Sequence, residues 1–211
     1  MSYSALILAG GKGSRMGYQE KALIEINGRP LIDFVIESLK KVVDNIIISV
    51  RDEAQGELLR SRIKGYRFVL DTYQNRGPLA GVLSGLSACT DEYCFIAACD
   101  MPFINKKVVE MLFQKSEDHD AAIPRWDDGF LEPLHAVYRC VPMLGETKKA
   151  IQEGKNIILA PVMKLNINYV PVDDIKKIDP DMKTFMNVNK PEDVQKVAKY
   201  VHKNFQGTRD I

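Results

Sequence analysis

The stretch that decides the fold runs Leu8-Ala9-Gly10-Gly11-Lys12-Gly13-Ser14-Arg15-Met16-Gly17, directly after the apolar run Ser4-Ala5-Leu6-Ile7. The apolar run is typical of a short buried strand. The glycines after it let the backbone turn tightly, so that successive N–H groups can converge on an anion. Lys12, Arg15 and the following Lys21 add positive charge. The pattern predicts a phosphate-binding loop, the alternative being an ordinary glycine-rich turn with solvated cations.

Two common phosphate loops do not fit this stretch. A P-loop needs Gly-x-x-x-x-Gly-Lys-Ser/Thr, and the chain has no such spacing. A dinucleotide fingerprint needs a third glycine where the chain has Met16. The stretch instead resembles the nucleotidyltransferase signature Leu-Ala-Gly-Gly-x-x-x-Arg-Met-Gly followed by a lysine. That signature belongs to enzymes that transfer a nucleoside monophosphate from a nucleoside triphosphate.

Strand and helix patterns alternate through the first half of the chain. They predict further strands at 45–50, 67–70 and 92–98, and helices at 31–43, 54–64, 78–88 and 106–115. This order favours an α/β fold, a Rossmann-like three-layer αβα sandwich around a mostly parallel sheet. Ligands bind at the carboxyl ends of the strands in such sheets. Gly10, Asp71 and Asp100 each follow a predicted strand, so we expect them to share one crevice.

After about residue 121 the pattern changes. It predicts strands at 121–124, 134–138 and 168–172, helices at 142–153 and after 156, and a closing helix to about 204. No linker or internal repeat interrupts the chain. We therefore predict one nucleotidyltransferase domain over residues 1–205, with a nucleotide-binding first half and an acceptor-binding second half. Residues 206–211 are predicted to be a frayed tail.

Composition narrows the class of protein. The 211 residues carry 29 basic and 28 acidic side chains, for a net charge of +1, so no global field favours nucleic acid or a membrane. The apolar runs are too short to span a bilayer, and the N-terminus lacks the pattern of a secretory signal. Four cysteines form no Cys-x-x-Cys pair, and three lie in apolar context. We expect buried reduced thiols and a cytoplasmic protein.

Asp100 is the candidate metal ligand. It lies in Cys99-Asp100-Met101-Pro102, where its carboxylate would emerge at the ligand-binding edge of the sheet. A triphosphate needs a hard dication, and Mg²⁺ takes only one or two protein carboxylates, with phosphates and water completing its shell. Mn²⁺ is an alternative ion. The alternative is that Asp100 has a structural role, as a helix cap or a turn residue. The nearby glycine loop favours a metal-binding role for Asp100.

The segment Gly77-Pro78-Leu79-Ala80-Gly81 leaves two interpretations open. Pro78 at a first helical turn, with glycines at 81 and 85, predicts a helix with a smooth face that packs closely on the sheet. The same helix would also point its N-terminal N–H groups and positive dipole into the crevice.

Together these segments resemble the molybdenum cofactor guanylyltransferases, whose fold is of the nucleotide-diphospho-sugar transferase type. The likeness extends over nearly the whole chain and includes the stretches 8–21, 27–31, 77–81, 99–102, 132–138 and 187–193. It implies transfer of GMP from GTP to the terminal phosphate of molybdopterin, with release of pyrophosphate. It also implies molybdoenzymes or their maturation proteins as later partners.

The resemblance carries over to individual residues. Nucleotide binding would fall to Leu8, Ala9, Gly10, Gly11, Lys12, Gly13, Lys21, Asp71 and Asp100, with Asp71 on the nucleoside and Asp100 on Mg²⁺. Catalysis would rest on charge from Arg15, Lys21 and Asp100, because an in-line attack on the α-phosphorus needs no covalent intermediate. Asn187 and Asn189 would face the acceptor. One departure is Ser49, where some members carry asparagine.

Three alternatives stay open from the sequence. A molybdopterin cytidylyltransferase usually has alanine where this chain has Gly10, and a missing Cβ leaves room for a purine, which favours GTP. A sugar-phosphate nucleotidyltransferase shares part of the glycine loop but is generally longer. A nucleotide-sensing module without turnover would show a degenerate site, whereas Arg15, Lys21 and Asp100 are all present. His135 lies on the acceptor side, where a core or rim histidine is favoured over an acid–base role.

Overall fold

The computed structural model describes residues 2–13, 19–73 and 76–206, without the side chains of residues 12, 13, 19 and 202–206. The strands are β1 Ser4–Leu8, β2 Lys12–Gly13, β3 Gln19–Glu20, β4 Glu25–Ile26, β5 Arg29–Pro30, β6 Asn45–Val50, β7 Arg67–Leu70, β8 Tyr93–Ala98, β9 Ala121–Arg125, β10 His135–Arg139 and β11 Ile167–Pro171. The helices are α1 Leu31–Leu39, α2 Glu53–Arg62, α3 Pro78–Ala88, α4 Lys106–Lys115, α5 Cys140–Gln152, α6 Leu159–Val162, α7 Val172–Lys176 and α8 Pro191–Gln206. Arg15 and residues 207–211 lie outside the described residues.

Seven strands form one sheet in the order β11-β9-β10-β8-β1-β6-β7. Strand β10 runs antiparallel to both of its neighbours, while β8, β1, β6 and β7 are parallel. The first half of the chain therefore brings the carboxyl ends of four strands to the same edge, because parallel strands end together. The predicted α/β fold with a mostly parallel sheet is confirmed.

The two faces of the sheet are covered by different helices. Along β1, Ala5 and Ile7 pack into a core that includes α1, α2 and α4, whereas Leu6 packs on the opposite side against Val82 of α3 and Met143 of α5. Successive side chains of a strand point to opposite faces, so an entirely apolar strand is buried on both sides. The three-layer arrangement follows directly from these apolar strands.

The predicted elements differ from the observed ones mainly at their ends. Helix α1 ends at Leu39 rather than at residue 43, because the chain turns there and Val42 N donates to Leu39 O at 2.8 Å. Val43 still reaches the core from this turn, which explains why its apolar spacing continued the helical pattern. Helix α7 was not predicted, since five residues are too few for a clear period.

The last helix returns to the start of the chain. Val197 and Val201 of α8, with Val188, pack against Ile26 and Leu31 near the small β4–β5 hairpin. Val188 N also donates to the carbonyl oxygen of Asp100 at 2.9 Å. These contacts bring the segment before α8 to the carboxyl edge of the sheet, close to the ends of β1 and β8.

Cys94, Cys99 and Cys140 are buried, as predicted, and Cys89 is partly exposed. None of the helices in the described ranges combines the length and apolar character needed to cross a bilayer.

Candidate nucleotide-binding site

A cavity of about 510 Å³ opens at the carboxyl ends of β1, β6, β7 and β8, within the usual size range of small-ligand sites. We call it the carboxyl-edge cavity. Its lining consists of Leu8, Gly10, Gly11, Lys21, Ser49, Arg51, Asp52, Asp71, Tyr73, Arg76, Gly77, Pro78, Ala80, Gly81, Ala98, Cys99, Asp100 and Leu134. The strand ends therefore bring Gly10, Asp71 and Asp100 into one crevice, as the alternation of strands and helices predicted.

Lys21, Asp100 and Asn189 form a hydrogen-bonded group that we call the lysine cluster. The Lys21 ammonium donates to Asp100 Oδ2 at 2.9 Å and to Asn189 Oδ1 at 2.8 Å. The side chains of Lys21 and Asp100 are only 19% and 12% exposed. A cation–carboxylate hydrogen bond with so little solvent around it is stronger than a surface pair. The cluster joins residues that are distant in sequence, one from each third of the chain.

The lysine cluster contains oxygen atoms of the kind that a hard dication takes as ligands. Asp100 supplies a carboxylate and Asn189 an amide oxygen, and both already converge on one positive charge. Across the described ranges, no group of three or more His, Cys, Asp or Glu side chains gathers to hold a metal. A site with one carboxylate still suits Mg²⁺, whose remaining positions are filled by water and substrate phosphates. The residues present therefore fit the ion.

A second polar group occupies another part of the cavity. The Ser49 hydroxyl, near the end of β6, donates to Asp71 Oδ1, and Asp71 follows β7. Burial raises the pKa of Asp71, while the Ser49 hydrogen bond and the charge of Arg51 act in the opposite direction. The Ser49–Asp71 pair thus consists of a partly buried carboxylate that accepts one hydrogen bond from a hydroxyl.

The start of the glycine loop is buried in the protein, and the residues that follow it line the cavity. Ala9 is fully buried, its N–H donates to Ser49 O at 2.9 Å, and its carbonyl accepts from Gln55 Nε2 at 2.9 Å. Ala9 therefore supports the loop from behind and does not line the cavity. Gly10 and Gly11 do line it, and a Cβ on Gly11 would meet nothing within 4 Å.

A network on Arg51 was missed by the sequence reasoning. Arg51 Nη2 donates to Glu20 Oε1 at 2.7 Å, and Arg51 Nε donates to Asp52 Oδ2 at 2.8 Å. Asp52 also caps α2 by accepting from Gln55 N. Through these hydrogen bonds, Arg51 connects Asp52 at the start of α2 to Glu20 at the end of β3. The network's only signal in the sequence is a charged pair directly after a buried strand.

One glycine within α3 and one directly before it have different structural roles. A Cβ on Gly85 would lie 2.3 Å from Leu6 Cδ1, so this glycine allows the helix to approach the sheet. Gly77 has a φ of 54° and precedes Pro78, and both line the cavity. The packing interpretation is therefore confirmed at Gly85, and the helix start lies at the cavity.

The two asparagines expected on the acceptor side lie on either side of buried Val188. Asn189 is part of the lysine cluster, whereas Asn187 is exposed. The side chain of Asn189 is therefore committed to Lys21, and contact of either residue with an acceptor stays a prediction.

His135 belongs to the core. Its ring is fully buried between Phe95 and Phe185, and Nε2 lies 3.1 Å from Thr184 Oγ1. Burial lowers the pKa of His135 to about 3, so the ring is neutral at physiological pH. The core interpretation of this histidine is confirmed.

A glycine loop, a lysine and an aspartate at the carboxyl edge of a mostly parallel sheet are the arrangement expected of a nucleotidyltransferase. The family model of the MobA-like NTP transferase domain matches residues 5–164. Proteins named probable molybdenum cofactor guanylyltransferase from Methanosarcina mazei and Methanosarcina acetivorans are each 43% identical, over 91% and 92% of this chain and 88% and 89% of their own lengths. The chain therefore belongs to the molybdenum cofactor guanylyltransferases of the MobA-like family.

A solved structure agrees with this assignment. The molybdopterin-guanine dinucleotide biosynthesis protein A of Archaeoglobus fulgidus superposes with a TM-score of 0.82 at 34% identity. The match covers 95% of this chain and 99% of that protein. The family and the fold thus extend over nearly the whole chain.

Proposed function

We propose that the protein transfers GMP from GTP to the terminal phosphate of molybdopterin and releases pyrophosphate. The observation that carries the proposal is the lysine cluster, in which a cation and a carboxylate both line a cavity large enough for a nucleotide. The names of relatives at 43% identity supply the base and the acceptor.

The reaction is a direct displacement. An oxygen of the acceptor phosphate attacks the α-phosphorus of GTP and forms the new P–O bond. The bond from the α-phosphorus to the bridging oxygen breaks, and its electron pair leaves with pyrophosphate. Among the described residues, the cavity lining contains no histidine that could activate a protein nucleophile, and burial raises the pKa of the Cys99 thiol. Direct transfer between the two substrates suits such a lining.

The proposed catalytic contribution is positioning and charge. Lys21 would meet the triphosphate through its ammonium group, and the N–H groups at Gly10 and Gly11 would contact phosphate oxygens. Asp100, with Asn189 beside it, would hold Mg²⁺. The bound ion would neutralise phosphate charge and make the α-phosphorus more electrophilic. Arg15, from the loop outside the described residues, is proposed as a second cation on the phosphates.

We further propose that the acceptor approaches from the side of Asn187 and that the product passes to molybdoenzymes or to their maturation proteins. The cytoplasm is the proposed compartment, because a protein with buried thiols suits reducing conditions.

The test is a transfer assay with the purified protein, Mg²⁺ and each of GTP, CTP, ATP and UTP, using molybdopterin or glucose 1-phosphate as acceptor. Pyrophosphate release is followed, and the product is identified by mass. We expect turnover with GTP and molybdopterin. Faster turnover with CTP would replace the guanylyl assignment with a cytidylyl one, and turnover with the sugar phosphate alone would reject the acceptor.

A further inference from the structure

Three of the four cysteines come together at the amino edge of the sheet, opposite the carboxyl-edge cavity. Cys89 directly follows α3, Cys94 lies near the start of β8, and Cys140 begins α5. Strand β10 is antiparallel to β8, so the end of β10 brings Cys140 beside the start of β8. Since a strand extends about 3.3 Å per residue, Cys94 lies about 13 Å from the end of β8 that borders the cavity. We call Cys89, Cys94 and Cys140 the thiol cluster.

Cys89 and Cys140 are in direct contact. Their sulfur atoms lie 3.4 Å apart, and the Cys140 thiol donates to the Cys89 sulfur. Both backbones are held in place, because Cys89 N donates to Leu86 O at 3.2 Å and Cys140 N donates to Glu92 O at 2.8 Å. A disulfide bond is about 2.05 Å long, so the two sulfurs need to approach by only about 1.4 Å to form one. A movement of this size lies within the reach of side-chain rotation and small backbone adjustments.

The members of the thiol cluster differ in the way that a two-step oxidation requires. Cys89 is partly exposed, whereas Cys140 is 5% exposed and Cys94 is fully buried. Hydrogen bonds from Cys140 and Cys94 lower the pKa of Cys89, which favours the thiolate, the form of a cysteine that attacks a disulfide. The hydrogen bond to Cys89 raises the pKa of Cys140, an effect that ends once Cys89 has reacted and lost its charge. Cys140 is also the first residue of α5, where the helix dipole stabilises an anion.

We infer that Cys89 and Cys140 form a reversible disulfide, in which Cys89 is the thiol that reacts with a low-molecular-weight disulfide. The Cys89 thiolate attacks one sulfur of that molecule, forms a mixed disulfide and releases the first small thiolate. The Cys140 thiolate then attacks the Cys89 sulfur, forms the protein disulfide and releases the second small thiolate. The two electrons lost by the protein thiols pass to the small disulfide, and the two protons pass to the released thiolates. An excess of a small thiol reverses both steps.

The bond would connect the end of α3 to the start of α5. These helices already pack together, since Leu83 of α3 and Ile151 of α5 share a buried apolar cluster. The disulfide would also close the chain between residues 89 and 140 into a loop, which restricts the unfolded state and stabilises the folded one. In a reducing compartment the two thiols would stay free and would combine only under oxidation.

The test uses the reduced full-length protein, incubated without air in oxidised glutathione. Free thiols are counted in denaturant with a chromogenic thiol reagent before and after the incubation. The oxidised protein is then digested with trypsin and Glu-C without reduction, and linked peptides are identified by mass. Glu-C cuts after Glu92, so the digest separates Cys89 from Cys94. We expect two of the four thiols to disappear, the Cys89 peptide to be linked to the Cys140 peptide, and dithiothreitol to restore all four thiols.

Single variants separate the roles of the three thiols. Cys140→Ser should stop at the mixed disulfide, with one glutathione attached to Cys89. Cys89→Ser should lose thiols at least about tenfold more slowly than the wild type, because the exposed thiolate is missing. Cys94→Ala is the matched control, since it removes the third thiol of the cluster and should still form the cross-link between Cys89 and Cys140.

Urea unfolding of the oxidised and reduced wild type measures the effect of the bond on the folded state. We expect the oxidised protein to unfold at a higher urea concentration, and dithiothreitol to abolish the difference. An oxidised protein that unfolds at a lower concentration would overturn the inference, because the folded structure would then not accommodate the bond.

The peptide map decides between the possible partners. The inference is overturned if the folded wild type keeps all four thiols while the urea-unfolded protein loses them, because the fold would then shield Cys89. It is also overturned if Cys94 is linked to Cys89 in place of Cys140, or if glutathione stays on the wild-type protein without a cross-link. Should Cys140→Ser fail to fold, the digest of the wild type still decides. Absence of GMP transfer by the reduced wild type would reject the proposed function and leave the thiol chemistry unaffected.

Discussion

The two polar groups of the carboxyl-edge cavity are built in opposite ways. The lysine cluster joins a cation to two oxygen groups, and all three come from distant parts of the chain. The Ser49–Asp71 pair joins an uncharged hydroxyl on β6 to a partly buried carboxylate directly after the neighbouring strand β7. A cation beside a carboxylate suits the binding of phosphates and their metal ion. A partly buried carboxylate suits the binding of a ligand that offers hydrogen-bond donors. We therefore expect the lysine cluster to act on the phosphates and the Ser49–Asp71 pair to contact the nucleoside.

Removing the charge at Asp100 should have the largest effect. Asp100→Asn keeps the shape of the side chain but removes the anionic ligand of the proposed metal, so turnover should fall by at least about 1,000-fold. The measurement is the initial rate of pyrophosphate release across a titration of Mg²⁺, with circular dichroism to verify folding. Asp181→Asn is the control, since Asp181 is an exposed partner of Lys183. Near-normal activity of Asp100→Asn throughout the titration would contradict a metal role.

Lys21→Ala tests the cation of the same cluster. One electrostatic contact in a partly dry site contributes about 3 kcal/mol, so kcat should fall by about 100-fold. Lys115→Ala is the matched control, because Lys115 lies exposed at the end of α4 and should leave the rate unchanged. Equal rates for the two variants with saturating substrates would show that Lys21 has only a structural role.

Arg15→Lys tests whether Arg15 contributes more to phosphate binding than its positive charge. Lysine keeps the positive charge but loses the planar guanidinium that can bind two phosphate oxygens. We expect a loss of about tenfold in kcat/KM for GTP, with Arg15→Ala falling further. A wild-type kcat/KM for Arg15→Lys would limit this residue to a general electrostatic contribution.

Asn189→Ala and Asn187→Ala separate the nucleotide side from the acceptor side. Asn189 holds the Lys21 ammonium, so its loss should raise KM for GTP and the Mg²⁺ concentration needed for half-maximal rate, each by about fivefold, the usual effect of losing one hydrogen bond. The exposed Asn187 should instead affect KM for molybdopterin. If both variants change only the KM for molybdopterin, the two asparagines share the acceptor role that the family resemblance implied.

The site could be predicted from the sequence where short-range patterns determine it. The apolar runs and the glycine loop predicted β6, β7, α3 and α4 with the bounds that the structure has, and so placed Asp71 and Asp100 at one edge. The contact of Asn189 with Lys21 was not predictable, because it depends on how α8 packs against the β4–β5 hairpin. The Ser49–Asp71 pair was missed for a similar reason, since only the packing of α3 on the sheet shows that Gly81 leaves room for the Ser49 hydroxyl.

The smallest predicted effect is on stability, and it should have opposite signs at the two ends of the cavity. Burial raises the pKa of Asp71 in the folded protein above its ordinary value of 3.8, which applies to the unfolded chain. At a pH between the unfolded-state pKa and the folded-state pKa, the folded state therefore binds more protons than the unfolded state. The wild type should therefore lose stability as pH rises through that window. Asp71→Asn removes this cost and should unfold at higher urea concentration than the wild type at pH 7, with the difference shrinking as pH falls below 3.8. Asp100→Asn should unfold at lower urea concentration at pH 7, because it leaves the Lys21 ammonium without its carboxylate. If Asp71→Asn is the less stable variant at pH 7, the Ser49 hydrogen bond outweighs the cost of burying the carboxylate.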